Sequence, residues 1–416
     1  MTAHASAHVS RPRIVFVNRY YWPDISATSQ LLTDLTRRLH AAGFDVEVLC
    51  SRLLYETSHR ALPPAELAQG VRVRRVWSTS FGRANLLGRM IDYASFYFSV
   101  GVSLLWRLSR GDVAVAKTDP PMLSVVVASA AALRGAVLVN WLQDLFPEVA
   151  QRIDGVPMPA TVYGLLRTLR DLSLRGARAN IVLGDRMHRE LVRLGVPTRS
   201  IRTVPNWADG AAIRPMPPTG SRLRTQMGVM HRFVVEYSGN LGRAHDWQTI
   251  LGAAERLVGD ARFLFLMIGG GNGMQALQRE VDARGLGNVR FLPYQEREVL
   301  ADSLAAADVH LVSLLPQLEG LIVPSKAYGI LAAGRPIVFI GDAAGEVAQL
   351  VDRHRCGFVV EVGAADRLAE GLRRLADDPA GLARMGTRAR AAFEDAYTLD
   401  HAVAAWLTLL GDIGPP

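Results

Sequence analysis

Only two of the 47 cationic side chains in this 416-residue chain are lysines, Lys117 and Lys326, and Lys326 lies in its most informative stretch. That stretch runs Glu319-Gly320-Leu321-Ile322-Val323-Pro324-Ser325-Lys326 and continues through Gly329 to Gly334-Arg335-Pro336. Pro324 and Ser325 are residue types suited to a helix start. Lys326 then falls in a first turn, where a cation opposes the helix dipole. An anionic ligand docked there would remove the conflict; an exposed lysine tolerating a small cost is the alternative. A second loop, Ser238-Gly239-Asn240-Leu241-Gly242-Arg243-Ala244-His245-Asp246, has glycines that admit close backbone approach and a guanidinium fork suited to phosphate. Its alternative is an ordinary strand-to-helix turn. A third, Gly269-Gly270-Gly271-Asn272-Gly273, is not a dinucleotide fingerprint, because Met274 stands where the third glycine belongs.

The chemistry these residues could do is to hold a diphosphate against glycine-lined backbone, with Arg243 and Lys326 stabilising the charge of a leaving group. No Asp-x-Asp pair of the kind that holds a divalent cation on a diphosphate occurs, and Cys50 and Cys356 have no metal-ligand spacing. No metal or other cofactor is therefore expected. Asp144, within Gln143-Asp144-Leu145-Phe146-Pro147, is a carboxylate that either orients a substrate or caps a turn before Pro147.

The elements that must position these loops alternate short apolar runs with longer amphipathic stretches, twice over. Strands are expected at residues 13–18, 44–50, 71–77, 112–117, 136–142 and 180–183, then at 232–238, 262–268, 288–292, 308–313, 336–340 and 357–361. The runs are apolar on both faces, which fits parallel strands covered by helices. Leu31, Leu32, Leu35 and Leu39 at helical spacing, stopped by Gly43, give a crossover helix over residues 29–43. Another is expected over residues 247–258. Pro205, Pro215, Pro217 and Pro218 mark a break between halves. The fold class is α/β, two doubly wound parallel sheets facing across a cleft. The expected division is a first domain over residues 1–205, a linker over 206–218, a second domain over 219–390 and a final segment over 391–416. Residues 391–410 read as one terminal helix that could cross back to the first domain. In such sheets ligands bind on loops beyond the strands' carboxyl ends, where the three loops above fall.

The formal net charge of +8 divides unevenly, +11 over residues 1–205 and −3 over residues 206–416. Either the arginine-rich composition alone explains it, or the first half faces anionic lipid or a phosphorylated acceptor. Residues 93–106 form an apolar run with Arg83, Arg89, Arg107 and Arg110 around it. It falls short of the roughly 18–20 residues of a span, so it reads as a core helix or one dipping into headgroups. The polar first 13 residues do not resemble a signal peptide, and a cytoplasmic location, peripheral to the inner membrane face, is expected. Nucleic-acid binding has only the high pI in its favour.

The chain resembles the retaining glycosyltransferases of family 4, which have the GT-B fold of two Rossmann-like domains, and within them the bacterial branch that elongates lipid-linked polysaccharide precursors. The resemblance spans roughly residues 13–400. It rests on residues 20–29, Thr118-Asp119-Pro120-Pro121, Gln143 to Pro147, Val204-Pro205-Asn206, Gly239 to Gly242, Pro324-Ser325-Lys326 and residues 331–336. It implies that the second domain binds a nucleotide sugar, UDP-linked by branch, through Gly239, Asn240, Gly242, Arg243, Gly269, Gly270, Glu319, Gly320, Leu321, Ser325 and Lys326. Leu292 and Tyr294 would lie beside the base. Ser26, Ala27, Thr28, Asp119 and Asp144 would line the acceptor side, the acceptor being an undecaprenyl-diphosphate-linked saccharide. Asp144, Arg243 and Lys326 would carry the reaction. The sequence departs from the family pattern of two glutamates eight positions apart, which fall on Leu321 and Gly329. The usual Arg and Lys of the first loop are Asn240 and His245. A sugar-nucleotide epimerase of the same architecture is the rival reading.

Overall fold

The computed structural model describes residues 11–55, 61–82, 86–153 and 158–413. Residues 1–10 and Arg83, used above, lie outside the described residues. The first lobe is built in order from β1 (Ile14–Val17), α1 (Ala27–Ala41), β2 (Val46–Ser51), β3 (Ala65–Ala68), β4 (Val71–Val76), α2 (Leu86–Arg107) and β5 (Val113–Lys117). It continues with α3 (Leu123–Arg134), β6 (Val137–Trp141), α4 (Glu148–Arg152), α5 (Ala160–Gly176), β7 (Ala179–Val182), α6 (Asp185–Arg193) and β8 (Ile201–Thr203). The second lobe begins with α7 (Arg222–Met227), β9 (Phe233–Asn240), α8 (Gln248–Arg256), β10 (Phe263–Gly270), α9 (Asn272–Arg284), β11 (Val289–Leu292) and α10 (Leu300–Ala305). Then come β12 (Val309–Ser313), α11 (Lys326–Ala332), β13 (Ile337–Ile340), α12 (Glu346–His354), β14 (Gly357–Val360), α13 (Ala365–Asp377), α14 (Pro379–Ala396) and α15 (Leu399–Ile413).

The first sheet has the strand order β3-β4-β2-β1-β5-β6-β7-β8 and the second β11-β10-β9-β12-β13-β14. Pairing is parallel except for β3 on β4, an antiparallel edge. Central strands such as β1, β5 and β12 are buried along their whole length, as parallel strands covered on both faces must be. The sequence reading missed β3 and β8, four and three residues long, because neither carries an apolar run. In α2, Phe96, Val100 and Leu104 recur every four residues and are fully buried, while Phe98 and Trp106 are 73% and 84% exposed. The helix therefore has both a core stripe and an outward apolar stripe.

The end of the chain corrects one expectation. Residues 391–410 are not one helix: α14 ends at Ala396, and α15 starts after Thr398, whose Oγ1 accepts a hydrogen bond from the His401 amide at 3.3 Å. The boundary placed at residue 391 falls inside α14. Phe393 of α14 packs in a core shared by the lobes, whereas Trp406 of α15 is buried in the first lobe's core beside Phe16 and Trp141. The segment between the lobes is likewise packed down: Trp207 is buried and stacks on Trp141 with ring centroids 5.8 Å apart, and Ala208 bridges to Thr398.

Candidate active site at the interlobe cleft

The lobes meet where strand ends face one another. Asp144, in the loop after β6, forms an antiparallel bridge with Ile322 of the second lobe, and the Leu145 amide donates to the Leu321 carbonyl at 3.0 Å. Gly320 turns with φ 78°, which only glycine adopts easily, and a Cβ there would lie 3.4 Å from the Arg186 carbonyl oxygen of the first lobe. Gln143 and Asn206 exchange side-chain hydrogen bonds of 3.2 and 3.1 Å, which ties the Asp144 loop to the interlobe crossing.

Lys326 opens α11, and its Nζ is shielded from solvent without a hydrogen-bond partner. It sits 3.5 Å from the Tyr237 ring centre, and a Cβ on Gly239 would be 3.6 Å from it. Burial holds the Lys326 amine well below its usual range. With α11 only seven residues long, its dipole is a minor concern; desolvation is the strain on this cation. His245, where the family usually has a lysine, is pushed down to about 3 by burial and by neighbouring Lys326. The neutral ring hydrogen-bonds through Nδ1 to the Ser313 carbonyl. Tyr237 donates its hydroxyl to the Asn240 carbonyl at 3.0 Å, which shapes the same loop. One buried amine without an acceptor thus faces the Gly239 turn.

Gly269 has φ 124° and lies so close to the Gly239 carbonyl that a Cβ would come within 2.2 Å of that oxygen; this glycine packs the two loops together. Gly270 lies under Tyr294, whose ring would stand 3.2 Å from an added Cβ, and Leu292 is half-buried at the end of β11. Asn240 is exposed, Gly242 and Ser325 are half-buried and Leu321 is buried. Glu319 caps α12, accepting from the Glu346 amide at 3.1 Å through Oε2, while Oε1 is buried without a partner. Its carboxyl is pushed up to about 7, chiefly by burial. Arg243 does not join the Lys326 cluster: its side chain is exposed, and none of the described residues pairs with it.

On the first lobe, the Asp144 carboxyl is pushed up to about 6 by burial, a Thr118 hydrogen bond opposing the shift and Asp119 adding to it. Its Oδ1 is shielded and unpartnered. Ser26 precedes α1 without capping it, with its hydroxyl buried and free of partners; Ala27 is exposed and Thr28 half-buried. Sequence reasoning missed the residue behind them. Lys117, wholly buried at the end of β5, donates from Nζ to the Thr28 carbonyl at 3.0 Å and lies 3.6 Å from the Trp141 ring centre. Burial pushes it down to about 7. The rarity of lysine in this chain was the signal that could have found it.

Two facing Rossmann-like lobes, with an unpaired cation at a glycine turn on one and an unpaired carboxylate on the other, define a GT-B transferase. The chain belongs to the glycosyltransferases: the family described as glycosyl transferase 4-like domain matches residues 27–207, and glycosyl transferases group 1 matches residues 227–392. The chain is 29% identical over 287 residues to the "Probable glycosyltransferase WbjE" of Pseudomonas aeruginosa, covering 67% of this chain and 70% of that one. HepE of Anabaena, solved in complex with UDP-glucose, superposes with a TM-score of 0.72 at 17% identity, over 96% of this chain and 99% of that one. WaaG, a glycosyltransferase involved in lipopolysaccharide biosynthesis, gives 0.68 at 17% identity, over 95% and 99%. These matches do not favour the epimerase.

Proposed function

We propose that the protein transfers a sugar, with retention, from a UDP-sugar to a lipid-linked saccharide in the assembly of a bacterial surface polysaccharide. The observation that carries the donor half is the unpartnered Nζ of Lys326 beside Gly239. A buried cation with no acceptor is costly unless a ligand supplies one, and a diphosphate does. The UDP-glucose complex of HepE supports uridine as the base, and the names of WbjE and WaaG support the glycosyltransferase and polysaccharide context. In this reading Lys326 and loop amides stabilise the leaving diphosphate. The acceptor hydroxyl attacks the anomeric carbon from the leaving group's own face, and the departing phosphate oxygen takes its proton. Asp144 orients the acceptor. Arg243, exposed at the loop's edge, is at most an outer contact.

Among the described residues no helix is long and apolar enough to cross a membrane. The outward stripe of α2, with Phe98 and Trp106, nonetheless suits a headgroup layer, in a first half carrying +11. Flotation with anionic liposomes is expected to be salt-sensitive and to be lost in Trp106→Ser with Phe98→Ser.

Thermal stabilisation by UDP-, GDP- and dTDP-sugars tests the donor assignment, since a ligand that binds only the folded state raises Tm. The UDP-sugars should raise Tm most, and Lys326→Met should abolish the rise. Equal stabilisation of wild type and Lys326→Met would refute the role of Lys326.

A further inference from the structure

Away from the Lys326 cluster, the buried cation with the poorest set of partners is Arg19. It follows β1, with its amide donating to the Asp119 carbonyl at 2.7 Å and its carbonyl accepting from the Ser51 amide at 2.9 Å. It therefore stands on the carboxyl edge of the first sheet, between the ends of β5 and β2, the edge on which ligands of parallel sheets bind. The residue is 6% exposed. Its guanidinium carbon lies 5.3 Å from the Tyr20 ring centre and 5.0 Å from that of Tyr93.

A guanidinium carries five N–H donors. Among the described residues none accepts a hydrogen bond from this one, and Nε is shielded from solvent. The carboxylate it pairs with is Asp92, at 3.9 Å, too far for a hydrogen bond. Asp92 is also engaged elsewhere, accepting from the Thr79 hydroxyl at 2.7 Å, the Phe81 amide at 2.9 Å and the Gly82 amide at 3.0 Å. The aromatic rings offset part of the desolvation, but they leave the in-plane donors of the fork unmet. Around this spot the surface is apolar: Phe81, whose amide Asp92 holds, and Leu87, Met90 and Ile91 on the α2 turns flanking Asp92 are all exposed.

We propose that Arg19 anchors a phosphoryl group of the acceptor, whose apolar chain lies along Phe81, Leu87, Met90 and Ile91. The inference rests on the reading of the acceptor as lipid-linked and assigns where its anionic junction binds. A planar fork matches the paired oxygens of phosphate or carboxylate; the apolar rim selects a phosphoryl group attached to a hydrocarbon over an acidic sugar. Asp144 and Asp119 lie toward the second lobe, where the saccharide end of such a molecule would reach the donor.

Calorimetric binding of geranyl phosphate, geraniol and glucuronate to the full chain and to Arg19→Met, Arg19→Lys and Lys326→Met tests this. Wild type and Lys326→Met should bind geranyl phosphate at least tenfold tighter than geraniol or glucuronate. Arg19→Met should bind phosphate and alcohol alike, and Arg19→Lys, which keeps the charge but not the fork, should fall between. No preference for phosphate in wild type, an undiminished preference in Arg19→Met, or glucuronate bound as tightly as geranyl phosphate would overturn the assignment. A preference lost only in Lys326→Met would move the phosphate to the donor site and overturn it too. Should Arg19→Met not fold, wild type against Arg19→Lys decides. Failure of the UDP-sugar experiment would leave this comparison unaffected, because it uses no donor.

Discussion

The two lysines of this chain stand in matched settings on opposite lobes. Lys117 closes a strand of the first sheet with its ammonium 3.6 Å from the Trp141 ring centre; Lys326 opens a helix of the second lobe, 3.5 Å from that of Tyr237. Burial lowers both pKa values. They differ in one contact: Lys117 donates to the Thr28 carbonyl at 3.0 Å, and Lys326 donates to nothing. Burial and an aromatic neighbour therefore do not by themselves mark a ligand site. A buried lysine with a protein acceptor holds structure in place, while one without an acceptor is a place kept for an anion. The difference between the lobes lies in who completes the hydrogen bond.

The largest expected effect breaks the pair at Lys326. Removing a donor that acts on the leaving group in a desolvated site costs about 10²–10³ in turnover, so Lys326→Met should slow transfer by about that factor. Because no protein contact is lost, the unliganded variant should melt about 2–4 °C higher. A drop in its Tm would mean that Lys326 has a structural partner after all. Lowering of the folded-state pKa means that the contribution of Lys326 to folding is present above its ordinary range and lost as pH falls through the depressed value. A bound diphosphate raises that value again. Nucleotide binding should then take up protons, more so as pH rises toward 10, as read by calorimetry in buffers of different ionisation enthalpy, and Lys326→Met should abolish the uptake.

Much of the architecture was legible because both sheets are built from apolar runs separated by amphipathic crossovers. Every strand long enough to fill a core was readable, from β1 to β14. What escaped was set by tertiary context. The edge strand β3 (Ala-Glu-Leu-Ala) is specified by its partner β4, and the break at Thr398 interrupts what is otherwise a continuous helical pattern. In the site, glycine spacing pointed to the loop after β9, and residue rarity pointed to Lys326. The sequence could not separate Lys326 from Arg243, since both are cations near glycines; only burial does, shielding one Nζ and leaving the other side chain exposed. Nor could it show that Gly269 serves loop-to-loop packing, or that Lys117 reaches α1 across 89 residues of chain.

The smaller effect tests the other member of the pair. Lys117→Met removes one hydrogen bond, a net loss of about 0.5–1.5 kcal/mol, and at the same time relieves the burial of an amine. These oppose each other, so the unliganded Tm should change little at neutral pH, unlike the rise expected for Lys326→Met. The pH dependence separates the two contributions. The folded-state value of Lys117 is pushed down to about 7 from its ordinary 10.5. Its stabilising contribution is thus complete above about 10.5 and is lost as pH falls through about 7. Wild-type Tm should therefore decline relative to Lys117→Met as the buffer is taken from pH 9 to pH 6. Stabilisation by a UDP-sugar should be the same in both, because Lys117 lies in the other lobe. A loss of that stabilisation in Lys117→Met comparable to the loss in Lys326→Met would erase the distinction between the two lysines, and an unchanged pH dependence would show that Lys117 keeps its charge inside the fold.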